Sequence, residues 1–427
     1  MRRTVIVMLD GLRRDFVGPE NTPHLAALAE RAERFAGYRS TFPSATRVVS
    51  STMATGCYPA RHELQGNTLV LLEDGRLVRH DAGHPDFLQR KRVVTGRSLA
   101  VPTLAERLAG HGGAIIFNNV SPGAAYAHDP DGHGHVYHRA GSFGPGRVPL
   151  PSERQLNVTL DAVGDRAMTE RFVTDALARP GPALAVLWLG EPDHIQHNCL
   201  LGSPEHLAVL READRNFGLV FQAVEALRQA GDDVLLIAGS DHGHETVTGV
   251  VDIEDELVTA GFKSSPDSEE IVVAANGTAA LIYVHPDHAA RLAGLEDFLN
   301  SRPWAGLVVG AESLGTVGQA ARHGLAFAVS LKGDERPNAF GVPGSCLVAK
   351  PAGGKADRLG CGQHGGLNAY EQAPVLMIDG LGFEAGASRE TPVAVVDIAP
   401  TILRHLGLPA EGMDGQPLQL SPTEDRS

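Results

Sequence analysis

Six side chains of two kinds recur in one setting along the chain. Asp10, Asp193, His197, Asp241 and His242 each stand just after an apolar run, and His364 lies in the glycine-rich Gly362-Gln363-His364-Gly365-Gly366. Three carboxylates and three imidazoles fill two three-donor shells for divalent ions, with positions left open for a substrate. Asp193 and His197 are four residues apart, so one helical turn presents both to the same ion. Asp241 and His242 are adjacent, so an extended or tight-turn backbone is expected to point them apart. Mixed carboxylate and imidazole donors suit Zn²⁺, with Mn²⁺ and Fe as alternatives.

A hydroxyl stands apart from this set. In Tyr38 to His62, Pro43 and Ser44 stop an extended segment and a helix begins at Thr46, which the spacing predicts to be its N-cap; Gly56 ends that helix. Free N–H groups and the positive end of the helix dipole would let a phosphate dock beside the Thr46 hydroxyl. Such a hydroxyl is a poor nucleophile near neutral pH unless a cation or a base assists it.

The elements that must position these groups follow from hydrophobic patterning. Thr4 to Leu9, Ala114 to Asn118, Ala183 to Leu189 and Asp233 to Ala238 are continuous apolar runs, as in strands buried on both faces of a parallel sheet. Helices are expected over Thr22 to Phe35, Val101 to Leu108, Gln155 to Arg179, Pro204 to Gln229 and Val393 to Leu406, with a further strand at Pro374 to Ile378. This alternation predicts an α/β fold with a doubly wound, mostly parallel sheet flanked by helices. Acidic residues at strand ends then fall where open sheets of this kind place their sites. Asn67 to His80 reads as a hairpin turning at Asp74-Gly75. Residues 262–353 read as an α+β cap subdomain inserted into a single catalytic domain of residues 1–427. The run from His128 to His138 reads as a polar surface loop, with pocket lining or another metal site as alternatives.

The chain has 427 residues and a net charge of −14, which argues against a nucleic-acid-binding surface. An anionic substrate would need local positive charge. The apolar run Val5 to Leu9 is too short for a signal peptide and meets Asp10 at once, no run is long enough to span a membrane, and four cysteines suggest no disulfide framework. The expectation is a cytoplasmic protein with free thiols.

Taken in order, Asp10, Thr46, Glu191-Pro192-Asp193-His194-Ile195-Gln196-His197, Gly239-Ser240-Asp241-His242-Gly243-His244 and Gly362 to Gly366 resemble the alkaline phosphatase superfamily. Within it the chain is similar to the nucleotide pyrophosphatase/phosphodiesterase group and its phosphonoacetate hydrolase relatives. The closing segment from Val395 to Leu418 resembles the superfamily's C-terminal segment. The resemblance implies an alkaline phosphatase-like fold and two Zn²⁺ ions, one held by Asp193, His197 and His364, the other by Asp10, Asp241 and His242 beside Thr46. It implies that Thr46 is the nucleophile, forming a phospho-threonine, and that Asn67 hydrogen-bonds a phosphoryl oxygen; a turn residue is the alternative for Asn67. The activity implied is hydrolysis of phosphodiester or pyrophosphate bonds in a small anionic phosphorus-containing substrate. A C–P hydrolase resembling phosphonoacetate hydrolase, or a phosphomonoesterase, is the alternative, and a metal-stabilised binding protein is the least favoured. Arg47 departs from the pattern, since diesterases of the group carry an aromatic there. A guanidinium could hold a substrate anion, or simply be solvated on the first helical turn. His194 and His244 neighbour the ligand positions and read either as supports for them or as exposed residues.

Protein purified without chelator should carry about two divalent ions per chain by elemental analysis. A content near zero, with activity unchanged by chelation, would contradict the two-shell reading.

Overall fold

The structure is a computed structural model that describes residues 1–352 and 357–420. The frayed end expected after Leu420 lies outside the described residues. In chain order, the elements that matter to the site are β1 (Arg2–Leu9), α1 (Thr46–Thr55), β2 (Thr68–Glu73), β3 (Arg76–Asp81), β4 (Ala114–Asn118), α2 (Ala162–Asp175), β5 (Leu184–Leu189), α3 (Pro204–Gln229), β6 (Asp233–Gly239), β7 (Ile271–Asn276), β8 (Ala279–Val284), β9 (Ala305–Gly310), β10 (Leu325–Leu331), β11 (Leu376–Asp379) and α4 (Ile398–Leu406).

The fold is α/β, built on a mostly parallel sheet of ten strands among the described residues. At its centre β4, β5, β1 and β6 lie side by side, all parallel, and β11 joins β6 antiparallel. Every residue of β1 after Arg2 is buried. Its alternate side chains feed two cores. Val5, Val7 and Leu9 pack into one with Leu25, Phe217 and Val220, while Ile6 and Met8 enter the other with Val48, Met53 and Ile402. This two-sided burial is why the strand reads as a continuous apolar run. Each such side chain contributes roughly 1.5–3 kcal/mol, so the centre of the sheet is the least yielding part of the molecule.

The parallel registers align the strand ends. Leu9 pairs with Leu189, and Met8 with Gly239. Asp10, Gly190 and Ser240 therefore emerge at one edge. The chain turns away there at Gly11, whose φ is +70° and where a Cβ would lie 2.8 Å from His244 Nε2. Only glycine meets both demands.

Several elements are shorter than the periodicity predicts. The helix expected over Thr22 to Phe35 ends at Ala29, and Glu33–Phe35 is a strand beside β11, with Glu33 and Phe35 buried and Arg34 exposed. Helix α2 begins at Ala162, not near Gln155, because the Asp161 carboxylate accepts the Gly164 N–H and fixes the start. Thr103 likewise caps a helix beginning at Leu104. Before α4, Val393-Ala394 pair with Tyr38-Arg39 as a short strand. The hairpin β2–β3 does turn at Asp74-Gly75, both with positive φ, as a tight two-residue turn requires.

Within residues 262–352 lies a second sheet, antiparallel, in the order β7-β8-β10-β9. One face packs on Ile253, Leu257, Leu295 and Trp304. The other takes Val70 and Leu77 of the hairpin. Asn276 in β7 donates to the Thr68 carbonyl and accepts the Thr68 N–H, pinning the hairpin base next to Asn67.

Several buried histidines make this fold sensitive to acid, three of them among the most clearly shifted. Burial lowers His62 to about 3, and His128 and His206 to about 4. Below pH 6.5 the unfolded chain takes up protons that the folded chain refuses. Stability should thus fall as pH drops below 6.5, by up to about 1.4 kcal/mol per pH unit for each histidine, with the loss ending near pH 4 for His128 and His206 and near pH 3 for His62. Chemical unfolding in chelator at pH 8, 6 and 4.5 checks this, and a free energy of unfolding that does not fall between pH 6.5 and 4.5 would contradict it.

Candidate active site

The aligned strand ends gather the chemistry-bearing residues at one edge. Asp10 closes β1, and its Oδ2 accepts the indole N–H of Trp188 at 2.7 Å. The Asp10 carbonyl accepts the Asp193 N–H, and Asp241 Oδ1 accepts the Gly11 N–H, both at 3.0 Å. Ser240 Oγ accepts the Leu12 N–H. The three acidic segments are therefore tied through the turn after β1.

Two overlapping donor groups result, both buried. Asp10, Asp241 and His242 form one; Asp193, His242, His244 and His364 form the other, and within each the donor atoms lie within 4.8 Å of one another. Asp10 Oδ1 and Asp241 Oδ2 are buried without a hydrogen-bond partner. They lie 3.5 and 3.0 Å from His242 Nε2, outside hydrogen-bonding alignment. Uncompensated buried carboxylate oxygens are costly, and a cation is what relieves them. The imidazoles are set for the same purpose. His364 Nδ1 donates to the Ser44 carbonyl at 2.6 Å and His242 Nδ1 to the Gly243 carbonyl at 3.1 Å. Both rings then offer Nε2 with its lone pair, the arrangement a metal-bound histidine needs. The residues present thus fit divalent ions.

The electrostatics reflect the same crowding of charge: burial lowers His242, but the Asp241 carboxylate outweighs it and raises that imidazole. Burial, then the charges of Asp241 and Asp193, push the Asp10 carboxyl well above its usual range. Burial also opposes ionisation of Asp193, but His197 and His244 outweigh it and hold that carboxyl low. Burial, with His242 and His244 nearby, drives His364 towards its neutral form.

The structure brings the expected donors together, with one difference in detail. His197 Nε2 is 3.3 Å from Asp193 Oδ1, but the His197 ring sits towards the open side and is not in either tight group. His244 is there instead, buried, with Nε2 2.7 Å from Asp193 Oδ1. The sequence left His244 open between an exposed residue and a support; of the two, it is the support. His194 is half-exposed, beside Glu191.

Thr46 opens α1, but as its first helical residue. Ala45 occupies the N-cap and no side chain of the segment itself caps the helix. The cap comes from across the cleft, where Asn67 Oδ1 accepts the Arg47 N–H at 3.0 Å. Thr46 Oγ1 is freed for other work and lies 3.2 Å from His242 Nε2. Asn67 is thereby more than a turn residue, and its amide NH₂ has no acceptor among the described residues.

These residues line a cleft of about 420 Å³, whose wall includes Thr46, Arg47, Asn67, Arg139, Asp193, His197 and His364. A more apolar hollow beside Val17, Ala26 and Phe35 holds none of them. The histidine-rich run is not a surface loop. His128 packs edge-on against Trp188, and buried His138 meets the Val120 carbonyl through Nε2. Neither joins a donor group of the described residues. The run's contribution to the cleft is Arg139, which no spacing in the sequence marks.

Fold and donor set define the class of site: a buried carboxylate and imidazole cluster able to hold divalent ions at the carboxyl edge of a doubly wound sheet. The sequence model of the type I phosphodiesterase/nucleotide pyrophosphatase family matches residues 4–332, and the chain belongs to that family. No curated protein matches the sequence at a significant level. Among solved structures, the chain is similar to murine ectonucleotide pyrophosphatase/phosphodiesterase 5 in an inactive threonine-to-alanine form in complex with AMP, with a TM-score of 0.69, 16% identity, and 97% of this chain and 98% of that chain covered. The same murine protein in another structure gives 0.68 at 17% identity, with 97% and 98% covered, and the human one 0.68 at 16%, with 97% of each chain covered. At these identities the likeness is one of fold.

Asp165 in α2 holds the ligand-bearing turn from behind. It accepts from Asn119 Nδ2 at 2.8 Å, Gly190 N at 3.1 Å and Glu191 N at 2.9 Å, all buried. Asp165→Ala would strand these donors and should cost about 2–4 kcal/mol in urea unfolding, whereas Asp165→Asn, which keeps an acceptor, should cost less. Equal small losses for both would show that the turn does not depend on this carboxylate.

Proposed function

We propose that this protein hydrolyses phosphodiester or pyrophosphate bonds through a covalent phospho-threonine on Thr46, with divalent metal in two sites, Zn²⁺ being the ion the donors suit best. Asp193, His197 and His364 hold one ion, with His244 supporting Asp193; Asp10, Asp241 and His242 hold the other beside Thr46. The observation that carries the reading is the Thr46 hydroxyl, at the first turn of α1, 3.2 Å from His242 Nε2 and facing a cleft that also contains Asn67. Bound ions would supply Lewis-acid stabilisation of the hydroxyl oxygen and of charge developing on the phosphoryl group.

The chain's own groups do the rest. Thr46 Oγ attacks phosphorus as the ester or anhydride oxygen on the opposite side departs, so one P–O bond forms as one breaks. The N–H groups of Thr46 and Val48, which have no acceptor among the described residues, face the reaction with the positive end of the helix dipole. The Asn67 amide, oriented by its bond to the Arg47 N–H, donates to a phosphoryl oxygen. Water then cleaves the phospho-threonine and restores the hydroxyl. The murine relative, described as inactive in its threonine-to-alanine form and as binding AMP, supports a threonine-dependent chemistry on a nucleotide-sized phosphoester.

Residues 262–353 are proposed to act as the cap over this edge, through the hairpin that carries Asn67. No described helix is long and apolar enough to cross a membrane. The four cysteines are all free thiols, which supports a reducing, cytoplasmic setting.

Thr46→Ala should lower kcat on a nitrophenyl diester by at least about a thousandfold, with fold and metal content unchanged, while Thr46→Ser keeps measurable turnover. Alanine turnover near the wild-type rate would mean that water, not Thr46, attacks phosphorus.

A further inference from the structure

The wall of the cleft beyond Thr46 carries two guanidiniums and, among the described residues lining it, no Phe, Tyr or Trp. The only rings a nucleobase would meet are therefore imidazoles, those of His84, His194, His197 and His364. Both guanidiniums are braced on the same three-residue stretch. Arg47 Nε donates to Ser121 Oγ at 3.0 Å. Arg139 Nη1 donates to the Asn119 carbonyl at 2.6 Å and to Asn119 Oδ1 at 3.0 Å. Asn119 and Ser121 are two residues apart, so their Cα atoms lie within about 7 Å. Asn119 is in turn fixed by Asp165.

This bracing leaves donors over. Neither Nη atom of Arg47 makes a hydrogen bond among the described residues; its nearest carboxylate, the largely exposed Asp81, is 4.0 Å from Nη2. An exposed pair at that distance is weak. Arg139 uses only Nη1, so Nε and Nη2 have no acceptor among the described residues. Arg47 is also held from outside, since a Cβ on Gly83 would come within 2.4 Å of its Nη2. In a chain of net charge −14, two partly buried cations with spare donors beside a candidate phosphoryl site are a built receptor for an anion.

We propose that Arg47 and Arg139 together bind a compact second anion, a carboxylate or phosphate on the substrate's substituent, where a base-stacking enzyme would hold a nucleoside. The proposal rests on the cleft being the active site and adds to it the class of substrate: a short phosphoester whose other end is charged.

Calorimetric binding to metal-loaded Thr46→Ala protein tests this without turnover, using 2-phosphoglycolate, methyl phosphate and AMP as probes. Phosphoglycolate should bind roughly tenfold to a hundredfold tighter than methyl phosphate, and tighter than AMP. Arg139→Gln and Arg47→Gln should each erase most of that margin. Gly83→Ala, which displaces the Arg47 head without removing it, should do so in part, and covers the case in which an arginine variant fails to fold. Equal binding of phosphoglycolate and methyl phosphate, tighter binding of AMP, or a margin that survives both arginine variants would overturn the proposal. Wild-type turnover of a nitrophenyl diester is scored separately. Arginine-dependent phosphoglycolate binding without any turnover would sink the catalytic reading and leave the anion site standing.

Discussion

The repulsion among buried carboxylates at one edge of the sheet is the constraint on which the rest of the structure depends. Asp10 and Asp241 are fully buried with oxygens within 4.8 Å of each other, and Asp193 reaches the same imidazole cluster. Two like charges at that spacing repel by roughly 3–4 kcal/mol even at an effective dielectric of about 20, before desolvation is counted. A cation bound at this edge would relieve the repulsion. The architecture around the edge exists to enforce it. Apolar β1, β5 and β6 fix the strand ends in register, Gly11 allows the close turn, Trp188 and the Gly11 N–H orient two of the carboxylates, and Asp165 holds the third segment from behind.

Much of this was legible in the sequence because it was written in patterns that physics constrains tightly. A strand buried on both faces must be continuously apolar, and its C-terminal neighbour is then at the edge where open sheets place their sites. Asp10, Asp193, Asp241 and His242 could be read that way. His364 entered the donor set by its residue type alone, since no strand pattern points to a histidine between glycines, and only the family resemblance assigned it to a particular ion. What could not be read was tertiary. Thr46 looked like its own helix cap, whereas the cap is Asn67, delivered by a hairpin whose position depends on Asn276, more than two hundred residues further on. The helices expected over Thr22 to Phe35 and Gln155 to Arg179 ran too long, because a strand pairing and a capping carboxylate, not periodicity, set their ends. Arg139 carried no signal at all. It matters because the histidine-rich run folds inward and brings it beside Asn119.

The division of labour within the site follows from these supports. The edge that gathers the buried carboxylates and imidazoles is built on the most deeply buried strands. The opposite wall is built on loops, the stretch Asn119 to Ser121 and the turn at Gly83, which position Arg47 and Arg139. A rigid edge that sets the reaction and a variable wall that sets the substrate is a general arrangement in folds of this kind.

The most direct test of the account is anomalous diffraction at the metal absorption edge from crystals grown without chelator. The account predicts two peaks roughly 4 Å apart, one bounded by Asp10, Asp241 and His242, the other by Asp193 and His364 with His197 turned in to complete it. A single peak, peaks elsewhere in the molecule, or none at this edge would contradict the claim that the buried carboxylates are arranged to hold a two-metal phosphoesterase centre.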